Sequence, residues 1–177
     1  TRQMGVVFGQ RTQLWWDIPV VESFTLIRDI SGVSAKRYAD NLAYLTEVLG
    51  LSEFMNMSAR KLSLGQRMRA DLAVSFLHDP KVVFLDEPTI GLDIAVRERI
   101  REFLRTVNRD RGVTVMLTSH DLDDIKDVCK RLVIIDKGTI IYDGRLDELL
   151  DRCVKSRTMH LRVGSDGAQL EKALGSR

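Results

Sequence analysis

The sequence is sparing in several features that carry whole classes of function. Cysteine occurs twice, as Cys129 and Cys153. Two thiols so far apart build neither a disulfide framework nor a zinc site, and they suit a reducing, cytosolic setting. An excess of one charge is also lacking. The formal net charge is +2, which gives no basic field of the kind that holds nucleic acid, so no nucleic-acid partner is expected. No apolar run approaches the roughly 18 residues that cross a bilayer, so no direct membrane span is expected. No signal peptide is expected either, because Thr1 is followed almost at once by a strand-like segment. Without a secretory signal, the glycosylation-like triplet Asn56-Met57-Ser58 carries no weight. There is no internal repeat and no low-complexity tract. What remains is an ordinary composition, 44% hydrophobic and 29% charged over 177 residues, enough for one domain with a real core.

The most informative stretch is Val82–Asp93, Val-Val-Phe-Leu-Asp-Glu-Pro-Thr-Ile-Gly-Leu-Asp. A short apolar run ends abruptly in two carboxylates, Asp86 and Glu87. Such a run reads as a strand of a parallel sheet buried on both faces, with its functional groups at the carboxyl end. Two adjacent acids there cannot both be core. One can hold a metal ion while the other handles a proton or a water; the plain alternative is a solvated turn.

The rest of the chain alternates around this stretch. Met4–Phe8 reads as a strand broken by Gly9-Gln10. Trp15 and Trp16 stand together in the loop before Pro19, as a contact surface or a local cap. Val20–Ile30 and Ala35–Leu49 have helical spacing, the second ending at Gly50. Leu62-Ser63-Leu64-Gly65-Gln66 opens a helix reaching about His78. Ser63 and Gln66 form a capping box, and the helix start is a phosphate cradle if it is more than a helix start. On this helix Leu72, Ser75 and Phe76 face inward and Arg67 and Arg69 outward. Asp93 is placed as the N-cap of a helix through about Asn108, whose Arg97, Arg99, Arg101 and Arg105 read most simply as a solvated face. Val113–Thr118 is a second buried strand, ending at Ser119-His120-Asp121. Doubly wound sheets align their strand ends along one edge, which could bring His120 near Glu87. A helix over Asp121–Cys129 follows, then strands Arg131–Asp136 and Thr139–Tyr142 about a Lys137-Gly138 hairpin turn, then a helical turn over Arg145–Leu150. Met159–Val163 suggests a strand and Asp166–Leu174 a helix.

Taken together and in order, Gln10 followed by Val20-Val21-Glu22, Leu62–Gln66, Val82–Glu87, Gly91-Leu92-Asp93 and His120 resemble the nucleotide-binding subunit of an ABC transporter over roughly residues 1–150. The resemblance implies an α/β fold, a P-loop NTPase-like parallel sheet core flanked by helices, with an inserted α-helical subdomain at 20–80, an α/β core at 81–150 and the start of a C-terminal extension at 151–177. It makes Gln10 the Q-loop glutamine at the Mg²⁺/water site and Asp86 the Walker B aspartate that holds Mg²⁺. Glu87 becomes the catalytic glutamate and His120 the switch histidine. Ser63, Leu64, Gly65 and Gln66 become a signature motif, with Leu64 where Gly is commonest, that meets the γ-phosphate of ATP held on a second subunit. Asp93 belongs to the D-loop at that same interface.

The implied cofactors are ATP and Mg²⁺, and the implied partners are a transmembrane permease and a second nucleotide-binding subunit. The implied location is cytoplasmic, peripheral on the inner face of the cell membrane. Gly9–Asp17 is similar to the ABC-2 type exporter group, in particular its daunorubicin-resistance-like and viologen-exporter-like ATPases. The family's G-x-x-x-x-G-K-[ST] loop is nowhere in these 177 residues. The expectation is therefore a chain lacking its N-terminal part, which alone binds ATP poorly and does not hydrolyse it. Two alternatives stand beside this reading: an ABC-type ATPase of DNA repair or chromosome organisation, disfavoured by the absence of sustained heptads between Gln10 and Ser63, and a non-catalytic interaction module.

Overall fold

In the computed structural model, residues 3–9 and 11–153 are described. Gln10 and the elements expected at Met159–Val163 and Asp166–Leu174 lie outside them. The chain divides into two compact units, Thr1–Cys129 and a second beginning at Lys130.

Three strands form the sheet of the first unit: β1 (Met4–Phe8), β2 (Val82–Asp86) and β3 (Thr114–Thr118), all parallel, in the order β1-β2-β3. The register pairs Phe8 with Asp86 and Asp86 with Thr118, so the three carboxyl ends finish level. Alternation sets the two faces. Val7, Val83 and Leu85 are buried against helices, whereas Met4, Phe8, Phe84 and Met116 on the opposite face are exposed. The apolar run at 82–85 is thus covered on one side among the described residues, not on both as its composition suggested. Gly5 lets the chain pass close to the sheet: a Cβ there would collide with the Ser75 carbonyl.

Between β1 and β2 run α1 (Val20–Ser31), α2 (Ala35–Leu49) and α3 (Leu64–Phe76), with a short 3₁₀ turn at Ala59–Lys61. Helix α2 keeps its expected bounds for a local reason. Ser34 accepts from the Arg37 N–H at one end, and Gly50 adopts a left-handed conformation at the other. Helices α4 (Ile94–Arg111) and α5 (Leu122–Val128) flank β3 in sequence. The core includes Phe24, Leu45, Leu49, Leu72, Phe76, Ile100, Phe103 and Leu104, and Phe76 meets Phe103 edge to face at 4.9 Å.

Two inferences about arginines are corrected. Arg69 does not point outward; its Nη1 donates to the Leu49 and Gly50 carbonyls at 2.9 and 2.8 Å and its guanidinium lies over Phe54. Arg67 lies over the Trp16 ring, 4.6 Å from its centre. The row on α4 is not simply solvated either. Arg97 pairs with Asp121 at 2.8 Å, and Arg101, its side chain 13% exposed, pairs with Asp124 at 2.7 Å. Helical spacing displays the arginines but not the acids that a later helix brings to them.

The second unit holds β4 (Arg131–Asp136) and β5 (Thr139–Arg145), an antiparallel hairpin with a register shift at Ile134/Ile135, followed by α6 (Leu146–Cys153). Lys137 and Gly138 both have positive φ, as a two-residue hairpin turn requires. Arg131 and Asp143 form a bidentate pair at 2.8 and 2.7 Å. The sequence reading kept this hairpin with the preceding α/β segment, whereas the compact units divide after Cys129. Among the described residues no helix is long and apolar enough to cross a membrane.

Candidate functional site

The level strand ends place three loops side by side. Asp86 closes β2 with an exposed carboxylate, whose Oδ1 accepts from the Thr118 hydroxyl at 2.7 Å. The chain then turns at Glu87, whose φ of 48° is unusual for a residue with a side chain. Its N–H donates to the Thr118 carbonyl at 3.2 Å and to the Thr118 hydroxyl at 3.1 Å, which holds the strained turn against β3. The turn directs Glu87 to His120: Oε1 lies 2.8 Å from Nδ1. The Glu87 carboxylate, first by this hydrogen bond and then by its charge, raises the His120 pKa above its ordinary value; Asp121 adds to the rise and Arg97 opposes it. The expected convergence of His120 and Glu87 is therefore present as a direct contact.

This edge fits Mg²⁺ in its usual mode. That ion takes one or two carboxylates and fills its remaining positions with water and substrate phosphate. Asp86 supplies one such exposed carboxylate, and the described residues form no closed cage of three or more His, Cys, Asp or Glu. Gln10, the other expected metal-site residue, is outside the described residues.

The second set of expected residues sits on α3 and the turn after Glu87. Ser63 and Gln66 cap each other: the Gln66 N–H donates to Ser63 Oγ at 3.2 Å and the Ser63 N–H to Gln66 Oε1 at 2.9 Å. Those bonds occupy the Gln66 donor and leave the Leu64 and Gly65 N–H groups, the first two of α3, without intrahelical acceptors. Leu64 is 47% exposed and lies against Gly91, where a Cβ would stand 3.2 Å from Leu64 Cδ2. Gly65 faces Val96 just as closely. Asp93 caps α4 through the Val96 N–H at 2.9 Å. The helix start and the Gly91–Asp93 turn thus form one surface, while no hydrogen bond among the described residues joins Ser63–Gln66 to Glu87 or His120.

Three residues absent from the sequence reading complete the picture. Thr118 donates to the Asp86 carboxylate and accepts from the Glu87 backbone N–H. Asp124 is buried and takes hydrogen bonds from Thr89, from Ser119 at 3.3 Å and from Arg101 at 2.7 Å. Asp71 on α3 is buried as well, and its Oδ1 accepts from the Thr12 hydroxyl at 3.0 Å and the Gln13 N–H at 2.8 Å. Burial pushes the Asp71 pKa up to about 6, against the opposing pull of those donors and of Arg67. It lines a cavity of about 330 Å³ with Arg11, Thr12, Leu64, Arg67 and Gly91. A signal for Asp71 did exist: it is the only charged residue in the run Ala70–Val74. Trp15 and Trp16 are 42% and 48% exposed on the loop that Asp71 anchors.

Known proteins share this fold. Over 85% of its length, the chain superposes on 62% of a solved ATP-binding subunit of an ABC transporter, with a TM-score of 0.74 at 22% identity. The fold is accordingly that of an ABC-type ATP-binding subunit. In sequence, it is 31% identical over 148 residues to the methionine import ATP-binding protein MetN of Haemophilus influenzae, covering 84% of this chain and 43% of that protein. It is 28% identical over 150 residues to the ABC transporter ATP-binding protein NatA of Bacillus subtilis, covering 85% of this chain and 61% of that protein. Residues 55–123 match the family model described as "AAA domain, putative AbiEii toxin, Type IV TA system". The chain spans less than two thirds of the length of either relative.

Proposed function

We propose that this chain supplies the hydrolysis edge and the signature helix of an ATP-hydrolysing subunit that powers an ABC membrane transporter. The observation that carries the reading is the 2.8 Å contact between Glu87 and His120 at strand ends kept level by the parallel register. Phosphoryl transfer asks a protein for little covalent chemistry. It needs an in-line water held in place and charge on the γ-phosphate stabilised. Glu87 polarises the attacking water. His120, kept in place by Glu87, donates toward the γ-phosphate. Asp86 and Gln10 hold Mg²⁺, which when bound neutralises phosphate charge. The free N–H groups of Leu64 and Gly65 receive the γ-phosphate of nucleotide carried by a second subunit, and Asp93 lies on the same surface. Such a site is complete only in a dimer.

In the complete protein, Glu87→Gln is therefore expected to keep ATP binding and to accumulate as an ATP-dependent dimer, visible by light scattering with MgATP. A variant that stays monomeric under those conditions contradicts the reading. Trp15 and Trp16 are assigned to the docking surface for the permease, which places the subunit at the cytoplasmic face of the cell membrane. Replacing both by alanine should uncouple transport from ATP turnover, and unchanged coupling removes them from that role. For the direction of transport, the likeness of Gly9–Asp17 to the ABC-2 exporter group supports export, whereas the relative MetN is named for import. Substrate accumulation in inside-out vesicles is the expected result for an exporter.

A further inference from the structure

We propose that Asp124 is the positioning residue that sets Glu87 against His120. The inference rests on the ATPase reading for its consequence, but on geometry for its substance. An exposed hydrogen bond between a carboxylate and an imidazole holds two loops together only weakly, and the His120 side chain is 73% exposed. Thr118 ties the Glu87 backbone to β3, and a less solvated group ties the rest of that turn to the loop of His120. Thr89 stands two residues after Glu87 and Ser119 one residue before His120. Both hydroxyls bind the same oxygen, Oδ2 of Asp124. The other oxygen, Oδ1, takes the Arg101 Nε hydrogen from α4 at 2.7 Å. Asp124 is 3% exposed, so its charge is held by these three partners and little by water. Ser119 also accepts from the Asp121 N–H at 3.0 Å, so the segment carrying His120 is pinned on both sides. The two loops lie on separate strands, and a single buried carboxylate spans them.

The test uses the complete protein with Thr89→Val and Ser119→Ala combined. This pair removes both hydroxyl ties to Asp124 and leaves the Asp124–Arg101 ion pair and the Thr118 bonds to the Glu87 N–H intact. The His120 ring, labelled and followed by NMR against pH, should lose its raised pKa and titrate in the ordinary histidine range, with thermal unfolding still cooperative. In steady-state ATP hydrolysis the variant should lose about tenfold or more in kcat with KM for ATP changed less than about threefold, the pattern of a misplaced catalytic pair. A His120 titration identical to the wild type overturns the proposal, as does a kcat within twofold of it. The titration reads the clamp whether or not the protein turns over ATP. Absent turnover in the wild type would sink the ATPase reading, and an unmoved titration would sink the clamp.

Discussion

Asp71 and Asp124 are two aspartates of one unit, 4% and 3% exposed, and each ties a loop to a helix. Asp124 meets a guanidinium and two hydroxyls; Asp71 meets one hydroxyl and one backbone N–H, with no cation in hydrogen-bond contact among the described residues. The difference lies in what compensates the buried charge. Arg101 comes to Asp124 from α4 and sets a positive charge directly against it. Asp71 is left to bear its own desolvation, and its pKa rises to about 6. One aspartate fixes Thr89 and Ser119 beside a guanidinium. The other holds the Thr12–Gln13 loop through a carboxyl that gains its proton just below neutrality.

The comparison breaks most visibly if a partner is removed from Asp124. Asp124→Ala takes from Arg101 its buried counter-charge and leaves it only the more exposed Asp127 at 3.1 Å and Glu98 at 3.5 Å, so it should cost about 2–3 kcal/mol in urea denaturation. A loss below 1 kcal/mol would mean that the pair is not what holds the loops. Asp71→Asn has the opposite sign. The amide oxygen keeps both hydrogen bonds while the charge is gone, so at pH 8 the variant should be more stable by about 1–3 kcal/mol.

The pH dependence follows from the raised pKa. Below the ordinary value of 3.8 the Asp71 carboxyl is protonated in both folded and unfolded chains and costs nothing. As pH rises from there to about 6 the unfolded chain ionises while the folded one still holds its proton, so stability falls, and it levels off once both are charged. The advantage of Asp71→Asn should therefore vanish below about pH 4 and be complete above about pH 7; an advantage independent of pH would point to packing instead. The smallest expected effect is Thr12→Val, which removes one of the two donors to Asp71 and should cost about 1 kcal/mol above pH 7, measured by thermal melts.

Local chemistry made much of this molecule legible. The Gly50 end of α2, the Ser63–Gln66 capping box, the Asp93 cap and the Lys137-Gly138 turn are each written within a few residues. The site was legible through order: acids after one apolar strand, a histidine after the next, and a sheet that levels strand ends. The remainder depended on distant pairing. Asp71 finds Thr12 across 59 positions and Arg101 finds Asp124 across 23, separations at which helical spacing carries no information. The positive φ of Glu87 is imposed by Thr118 on a neighbouring strand, not by its own residue type. The exposed face of Met4, Phe8, Phe84 and Met116 is equally invisible in composition, because a run of apolar residues looks the same whether one side is covered or two.

The central claim is that Glu87, held beside His120, activates the water that attacks ATP. Its most direct test is magnesium-dependent ATP hydrolysis by the complete protein, with Glu87→Gln measured beside the wild type at saturating nucleotide. The expected result is a fall in turnover of about 10²–10⁴-fold with ATP binding retained. Hydrolysis at the wild-type rate by Glu87→Gln would contradict the account.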